Sequence, residues 1–240
     1  MLFPQWIIDH IAQSLYWADR TVRADLIAGL ISGENDYTSN LTATIRRQIN
    51  ARAVPKLSAT SYVLKPIVER SVGADACIVL ASEREFKICL FEAKWPRLST
   101  HNNYWDSVQK NRRVSHFDDQ LHKQQRVSSI FAVWEMFYCE FPYGKQPSFM
   151  PSHVSACVWQ HDAIRASQER PGNDNPWTDQ ELEDLLRNAS SQVDHLIREV
   201  CLCHHGQRFN GNDFLSVFEE YEVPSEVLVI KYAGEDAQQA

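Results

Sequence analysis

Two carboxylates and an amine lie at the ends of two apolar segments of the chain. Asp75 precedes the run ACIVL, and Glu92 and Lys94 follow the run FKICLF. Residues two apart on a β-strand point to the same face, so Glu92 and Lys94 share a face while Ala93 points away. If the two runs pair as an antiparallel hairpin across the charged stretch SEREFK, Asp75 and Glu92 lie at adjacent strand ends. The sequence therefore predicts a cluster of two acids and one lysine at one end of a sheet.

Two converging carboxylates repel each other unless a cation lies between them, and hard oxygen ligands suit Mg²⁺. Lys94 would then lie beside the attacking water. A second triplet with the same spacing, Glu85-Phe86-Lys87, lies in the polar stretch between the two runs, whereas Glu92 ends an apolar run. The simpler alternative is an exposed hairpin end whose surface ion pairs contribute little stability.

These residues resemble the PD-(D/E)xK nuclease superfamily, which has the restriction-endonuclease-like fold. Asp75 matches the first acid of the family pattern, Glu92 and Lys94 match the triplet 17 positions later, and Ala74 stands where the family name implies a proline. The resemblance covers about residues 34–165. It implies an α/β protein, with a restriction-endonuclease-like core made of a central mixed β-sheet flanked by helices, plus N-terminal and C-terminal helical additions.

The resemblance also implies the roles of the site residues. Asp75, Glu92 and the backbone carbonyl of Ala93 would hold one or two Mg²⁺ ions, for which Mn²⁺ could substitute. Glu34, at the start of the helix before the sheet, resembles an additional acid that many members carry there; an acid favoured by the helix dipole is the alternative. Lys94 would position or deprotonate the attacking water. The expected catalytic set is therefore Asp75, Glu92, Lys94 and Glu34.

Members of this superfamily commonly follow the triplet strand with a helix directed at the substrate. Gln120 and Gln124 share one face of such a predicted helix, and Lys110, Arg112 and Arg113 form a basic stretch that could neutralise phosphates. Exposed glutamines on an ordinary helix and a solvated basic face are the alternatives. We expect these five residues to bind the substrate, with duplex DNA as the first choice.

The predicted elements follow the order helix, three strands, helix, strand around these residues. The apolar and polar periodicities predict helices over 4–31, 34–50 and 102–127, and strands near 61–64, 128–141 and 152–162, in addition to the hairpin.

Three segments are predicted along the chain. They are an N-terminal helical segment over 1–33, a nuclease-like core over 34–167, and an acidic, mostly helical C-terminal part over 168–240, which could also pack on the core as one domain. The boundary rests on the loop composition of QERPGNDNPW.

The C-terminal part carries most of the acidic excess. Residues 1–170 hold 20 basic and 17 acidic residues, and residues 171–240 hold 4 and 14, which gives balances of +3 and −10 within the net charge of −7. A local basic groove is therefore compatible with the overall acidity. The acidic part could form a homodimer interface, bind a basic protein partner or mask the groove.

Thr178 and Glu181 match a capping box that begins a helix whose apolar side extends to Ile197. A shorter helix is predicted near 213–221, and a strand over 226–232.

The remaining features indicate a cytoplasmic protein without a membrane partner. The apolar runs are far shorter than a membrane span, and the N-terminal residues carry Asp9 without a basic flank, unlike a secretory signal. Six cysteines lie mostly in apolar runs and are predicted to be buried thiols. The segment Cys201-x-Cys203-His204-His205 is too tightly spaced for a tetrahedral zinc site.

The expected function is that of a Mg²⁺-dependent deoxyribonuclease, an endonuclease acting in defence against foreign DNA. Two alternatives stay open: a catalytically silent subunit that uses the nuclease fold as a scaffold, and a nuclease that acts on RNA or on structured nucleic acid.

Overall fold

The computed structural model describes residues 1–64, 72–101, 103–108, 115–171, 175–221 and 223–234. Within these residues the chain forms seven helices and seven strands. The helices are α1 (Gln5–Ile27), α2 (Glu34–Ala51), α3 (His116–Gln124), α4 (Gln160–Glu169), α5 (Asp179–Ala189), α6 (Val193–Cys201) and α7 (Phe214–Glu220). The strands are β1 (Leu57–Val63), β2 (Ala76–Ala81), β3 (Glu85–Lys94), β4 (Ala132–Phe137), β5 (Ala156–Trp159), β6 (Phe209–Asn210) and β7 (Glu226–Tyr232).

The strands form one mixed sheet in the order β1-β7-β2-β3-β4-β5, and the short β6 pairs with the start of β3. The pairs β2–β7 and β3–β4 are parallel, and the other pairs are antiparallel. The prediction of an α/β protein with a central mixed sheet flanked by helices is therefore confirmed. No helix in these ranges is long and apolar enough to cross a membrane.

The predicted hairpin is the centre of the sheet. β2 and β3 pair in the register Ala76 to Phe91, and the backbone N–H of Asp75 donates to the carbonyl of Phe91 at 2.9 Å. This register places Asp75 beside Glu92, as the alternation of the two apolar runs predicts.

Helices cover both faces of the sheet. One core contains α1, α2 and α6 packed against the face of β3 that carries Cys89, Phe91 and Ala93. On α2, Leu41, Ile45 and Ile49 form the predicted apolar stripe and are at most 1% exposed. Each such side chain stabilises the fold by about 1.5–3 kcal/mol on burial. The opposite face is covered by α3, α4, α5 and α7 in two smaller clusters.

The terminal segments belong to this architecture. α1 packs between α2 and α6 in the largest core. β7 lies between β1 and β2, so the C-terminal segment contributes an inner strand of the sheet. The C-terminal part therefore shares both its core and its sheet with the rest of the chain.

The helix predicted over 102–127 is confirmed for His116–Gln124, but residues 103–108 are not helical, and Asn103 has a positive φ of 72°. α3 begins after Ser115, whose side chain caps the helix by accepting a hydrogen bond from the N–H of Asp118. Residues 102 and 109–114 lie outside the described part of the chain.

The helix predicted from Thr178 to Ile197 is two helices. Its start is confirmed, since Thr178 and Glu181 form the reciprocal capping box. The break follows from Ser191, whose backbone N–H and C=O exchange two hydrogen bonds of 2.8 Å with Cys157. α4 was not predicted, because the apolar run that ends in Trp159 hides the change from strand to helix at Gln160.

Candidate active site

The C-terminal end of β3 carries Glu92 and Lys94 on the face covered by α3. The two side chains are 4% and 5% exposed. Lys94 Nζ donates to Glu92 Oε1 at 2.6 Å. The alternative of an exposed hairpin end with solvated ion pairs is therefore wrong, because this pair is buried.

Two further carboxylates bind the backbone of β3 on either side of Lys94. Asp75 Oδ2 accepts a hydrogen bond from the N–H of Ala93 at 2.8 Å, and Glu34 Oε1 accepts one from the N–H of Trp95 at 2.8 Å. Glu34 is the first residue of α2, so the carboxylate reaches the end of the sheet from the helix on the opposite face. The structure thus brings together the four side chains that the sequence predicts as catalytic.

Gln120 of α3 joins this cluster. Its Oε1 accepts a hydrogen bond from Lys94 Nζ at 2.6 Å, and its Nε2 donates to Glu92 Oε1. The amide therefore bridges the acid and the amine of the triplet, and it fixes the orientation of both. Gln120 thus lies at the site, and its role in binding substrate stays a prediction.

The close approach of α3 to the hairpin depends on a glycine. Gly73 has a φ of +68°, and a Cβ at this position would lie 2.9 Å from the carbonyl oxygen of Gln120. Gln124 is fully buried, and its Nε2 donates to the carbonyl oxygen of Gly73 at 2.5 Å. Gln124 thus holds α3 against the turn before Asp75 and contacts protein in this structure. Lys110, Arg112 and Arg113 lie outside the described residues.

Burial controls the ionisation of the two acids. It raises the pKa of Asp75, against the opposing effects of Lys94 and of the Ala93 N–H, and a hydrogen bond from the Glu92 carboxyl also opposes the rise. Burial raises the pKa of Glu92 well above its usual range; Lys94 opposes the rise, and Asp75 and Glu135 add to it. Burial and the neighbouring carboxyl groups thus act against two negative charges at this position.

For the pKa of Lys94, the effect of the neighbouring charges outweighs the effect of burial. Burial by itself would lower the pKa of its amine, but the carboxyl groups of Glu92, Glu34 and Glu135 outweigh burial and raise the pKa. Lys94 is therefore an ammonium ion at neutral pH.

An open cleft of about 590 Å³ leads to these groups between α2 and α3. It is lined by Glu34, Asn35, Thr38 and Ser39 of α2, by Gly73, Ala74, Asp75 and Glu92 of the hairpin, by His116, Gln120 and Lys123 of α3, and by Pro224, Ser225 and Glu226 before and in β7. The acids are thus accessible to a polar ligand from solvent.

Sequence reasoning missed Glu135 and His116. Glu135 of β4 lies opposite Glu92 in the parallel pair β3–β4 and is fully buried. An acid in the middle of the apolar run AVWEMF was the available signal. His116 lines the cleft, and burial, followed by the nearby charge of Lys94, lowers the pKa of its imidazole. Its position depends on the cap at Ser115, which the prediction of a longer helix concealed.

The donor set fits a hard divalent cation. Mg²⁺ is commonly bound by one or two carboxylates together with waters and substrate phosphates. Asp75 and Glu92 are neighbours across the hairpin, and a cation between their carboxylates would reduce the repulsion of the two charges. No group of three or more His, Cys, Asp or Glu side chains within the described ranges is arranged to hold a metal by itself. The six cysteines are free thiols; five of them are buried as predicted, and Cys203 is half-buried.

Comparisons with protein-family models, with curated proteins and with solved structures gave no match for this chain.

Proposed function

We propose that this protein is a metal-dependent phosphodiesterase of the PD-(D/E)xK type that hydrolyses nucleic acid, with DNA as its first substrate. The observation that supports the proposal most strongly is the convergence of three acids at the end of β3, where Glu92 accepts a hydrogen bond from the buried amine of Lys94 and the carboxylates of Asp75 and Glu34 accept from the backbone on either side of Lys94. A structural ion pair explains one acid and one lysine, but it does not explain two further acids held at the mouth of the same cleft.

The arrangement of the elements around the site supports the same proposal. α2 precedes the hairpin β2–β3, and α3 is the crossover between the parallel strands β3 and β4. We propose that these elements correspond to a restriction-endonuclease-like core. In this proposal β7, which separates β1 from β2, is an addition to that core.

Asp75, Glu92 and the carbonyl of Ala93 would hold Mg²⁺ or Mn²⁺, and Glu34 would help directly or through water. The bound ion would supply Lewis-acid stabilisation of the negative charge that develops on the phosphate. The hydrogen bond from the Ala93 N–H fixes the Asp75 carboxylate against the β3 backbone. The carboxylate would therefore need little reorganisation to bind the cation.

Lys94 presents a positive charge at the end of β3, where it would orient the attacking water and the phosphate oxygens. Gln120 gives the Lys94 amine a hydrogen-bond acceptor besides Glu92, because its Oε1 accepts one of the three ammonium protons. His116 and Lys123 line the entrance from α3, where they would contact neighbouring phosphates.

The proposed setting follows the resemblance: an endonuclease that acts on foreign DNA in the cytoplasm and leaves 5′-phosphate and 3′-hydroxyl ends. Cutting both strands of a duplex would call for two active sites and hence a homodimer. The acidic C-terminal part is the proposed surface for such a dimer or for a basic protein partner.

The test is a cleavage assay with the purified full chain on supercoiled plasmid, single-stranded DNA and structured RNA, each with Mg²⁺, with Mn²⁺ and with EDTA. We expect metal-dependent nicking of the plasmid by the wild type and none by Asp75→Asn with unchanged circular dichroism. Cleavage confined to RNA would move the substrate to the alternative class. No metal-dependent cleavage of any substrate, together with no Mn²⁺ binding by calorimetry, would leave only the scaffold alternative.

A further inference from the structure

Glu135 extends the row of acids at the site across a third strand. Asp75 ends the segment before β2, Glu92 lies beside it on β3, and Glu135 is the register partner of Glu92 on β4. The three side chains therefore share the sheet face that carries Lys94 and that α3 covers.

The environment of Glu135 is unfavourable for a carboxyl group. The residue is 0% exposed. The amide of Gln124 approaches it, but no donor in the part of the chain that the structure describes meets hydrogen-bond geometry at either carboxyl oxygen. Burial raises the pKa of this carboxyl to about 8, and Lys94 opposes the rise. A buried carboxyl without a donor costs stability, so an amide or an apolar side chain would be better tolerated here.

Lys94 needs a negatively charged partner other than Glu92 when Glu92 binds a metal. Glu92 Oε1 is at present the acceptor for both Lys94 Nζ and Gln120 Nε2. If Glu92 turns to a metal, that oxygen no longer neutralises the ammonium. An ionised Glu135 would attract the Lys94 ammonium, and the residue lies on the side of Glu92 away from Asp75.

We propose that Glu135 is a positioning residue that holds the Lys94 ammonium in the site when Glu92 binds the metal. The inference rests on the proposed function. Glu135 is fully buried and does not line the cleft, so it would not contact the metal or the substrate. Its contribution is to keep Lys94 directed at the reacting phosphate.

The experiment compares wild type, Glu135→Gln and Glu135→Asp in Mg²⁺-dependent DNA cleavage, in Mn²⁺ calorimetry and in thermal unfolding in EDTA. Loss of a partner that orients a metal-site group typically lowers activity about 10–100-fold. We expect Glu135→Gln to lower kcat by about that factor. We also expect KM and the Kd for Mn²⁺ to stay within about twofold and the melting temperature without metal not to fall. Glu135→Asp, which keeps the carboxyl, should recover part of kcat.

Lys87→Met is the matched control, since Lys87 is also fully buried without a hydrogen-bond partner among the described residues but lies on the other face of β3. Its kcat should equal that of the wild type. A wild-type kcat in Glu135→Gln would overturn the inference and leave the proposed function standing. Loss of Mn²⁺ binding, or a lower melting temperature that accounts for the lost activity, would also overturn it. A wild type that cleaves no substrate would overturn the proposed function and this role together.

Discussion

β3 carries two acid-x-lysine triplets, Glu85-Phe86-Lys87 and Glu92-Ala93-Lys94, and both lysines are buried. Lys94 donates to Glu92 and Gln120, and its pKa is raised because the surrounding carboxyl groups outweigh burial. Lys87 has no hydrogen-bond partner within the described residues, and burial lowers the pKa of its amine.

The difference comes from the strand face and not from the triplet. An odd number of positions separates Lys87 from Lys94 along β3, so the two side chains point to opposite faces of the sheet. Lys87 points to the face packed by α1 and α6, where Cys89 and Cys201 lie nearby, and Lys94 points to the face covered by α3. Glu85 lies at the hairpin end and pairs with Arg208 at 3.4 Å on the surface. Glu92 and Lys94 thus lie beside a second acid and an amide. Lys87 lies beside thiols, and Glu85 lies at the surface.

The largest effect is expected when the acid of each triplet is replaced. Glu92→Gln should lower metal-dependent cleavage by about a thousandfold, because it removes the proposed metal ligand that would stabilise charge in the transition state. Glu85→Gln should stay within about twofold of the wild type, since its carboxylate contacts only Arg208 among the described side chains. Initial rates on plasmid DNA measure both. Similar losses in the two variants would contradict the distinction between the triplets.

The second prediction concerns the pH dependence of stability, to which Glu135 contributes on the Lys94 face of the sheet. Glu135 has a folded pKa of about 8 against an ordinary value of 4.5. Above pH 4.5 the folded protein therefore binds more protons than the unfolded chain, and stability is lost as the pH rises towards 8. We expect the free energy of unfolding in EDTA to fall by on the order of 1 kcal/mol per pH unit in this window. Urea unfolding across this window measures it, and Glu135→Gln should reduce the slope, while the raised pKa values of Glu92 and Asp75 account for the remainder. An equal slope in that variant would show that other groups cause the dependence.

Gln120 is a further difference between the two lysines, because no side-chain amide among the described residues forms a hydrogen bond with Lys87. Gln120→Ala should lower kcat by about 10–100-fold, since Lys94 loses an acceptor and Glu92 loses a donor. Gln125→Ala, one residue beyond α3 and exposed, is the control and should be neutral. Kinetics on plasmid DNA, with circular dichroism for the fold, distinguish the two, and a neutral Gln120→Ala would remove α3 from the proposed site.

The smallest expected effect concerns stability on the other face. Lys87→Met should raise the free energy of unfolding by about 1–2 kcal/mol, because it removes a buried amine that has no partner in the described part of the chain. Lys231→Met, at an exposed position of β7, should be neutral. Urea unfolding at neutral pH measures both, and a destabilised Lys87→Met would indicate that the amine has a structural partner.

Much of the site was predictable because its determinants are local. The apolar runs on either side of SEREFK determine the hairpin, and the register of β2 and β3 then brings Asp75 to Glu92. The stripe Leu41, Ile45 and Ile49 likewise determines α2 and directs Glu34 to the end of the sheet.

The remaining features depend on contacts between distant segments. The place of β7 between β1 and β2 follows from pairing with strands about 150 to 175 residues away, which no local pattern encodes. Glu135 becomes part of the site only through the register of β3 with β4. The break between α5 and α6 likewise comes from the hydrogen bonds of Ser191 to Cys157.

The most direct test of the central claim is Mg²⁺-dependent plasmid cleavage by the wild type, Lys94→Met and Lys87→Met under identical conditions. Both variants remove a buried amine from the same strand, so a general effect on folding would appear in both. We predict cleavage by the wild type and by Lys87→Met, and none by Lys94→Met. Cleavage by Lys94→Met at the wild-type rate would contradict the account.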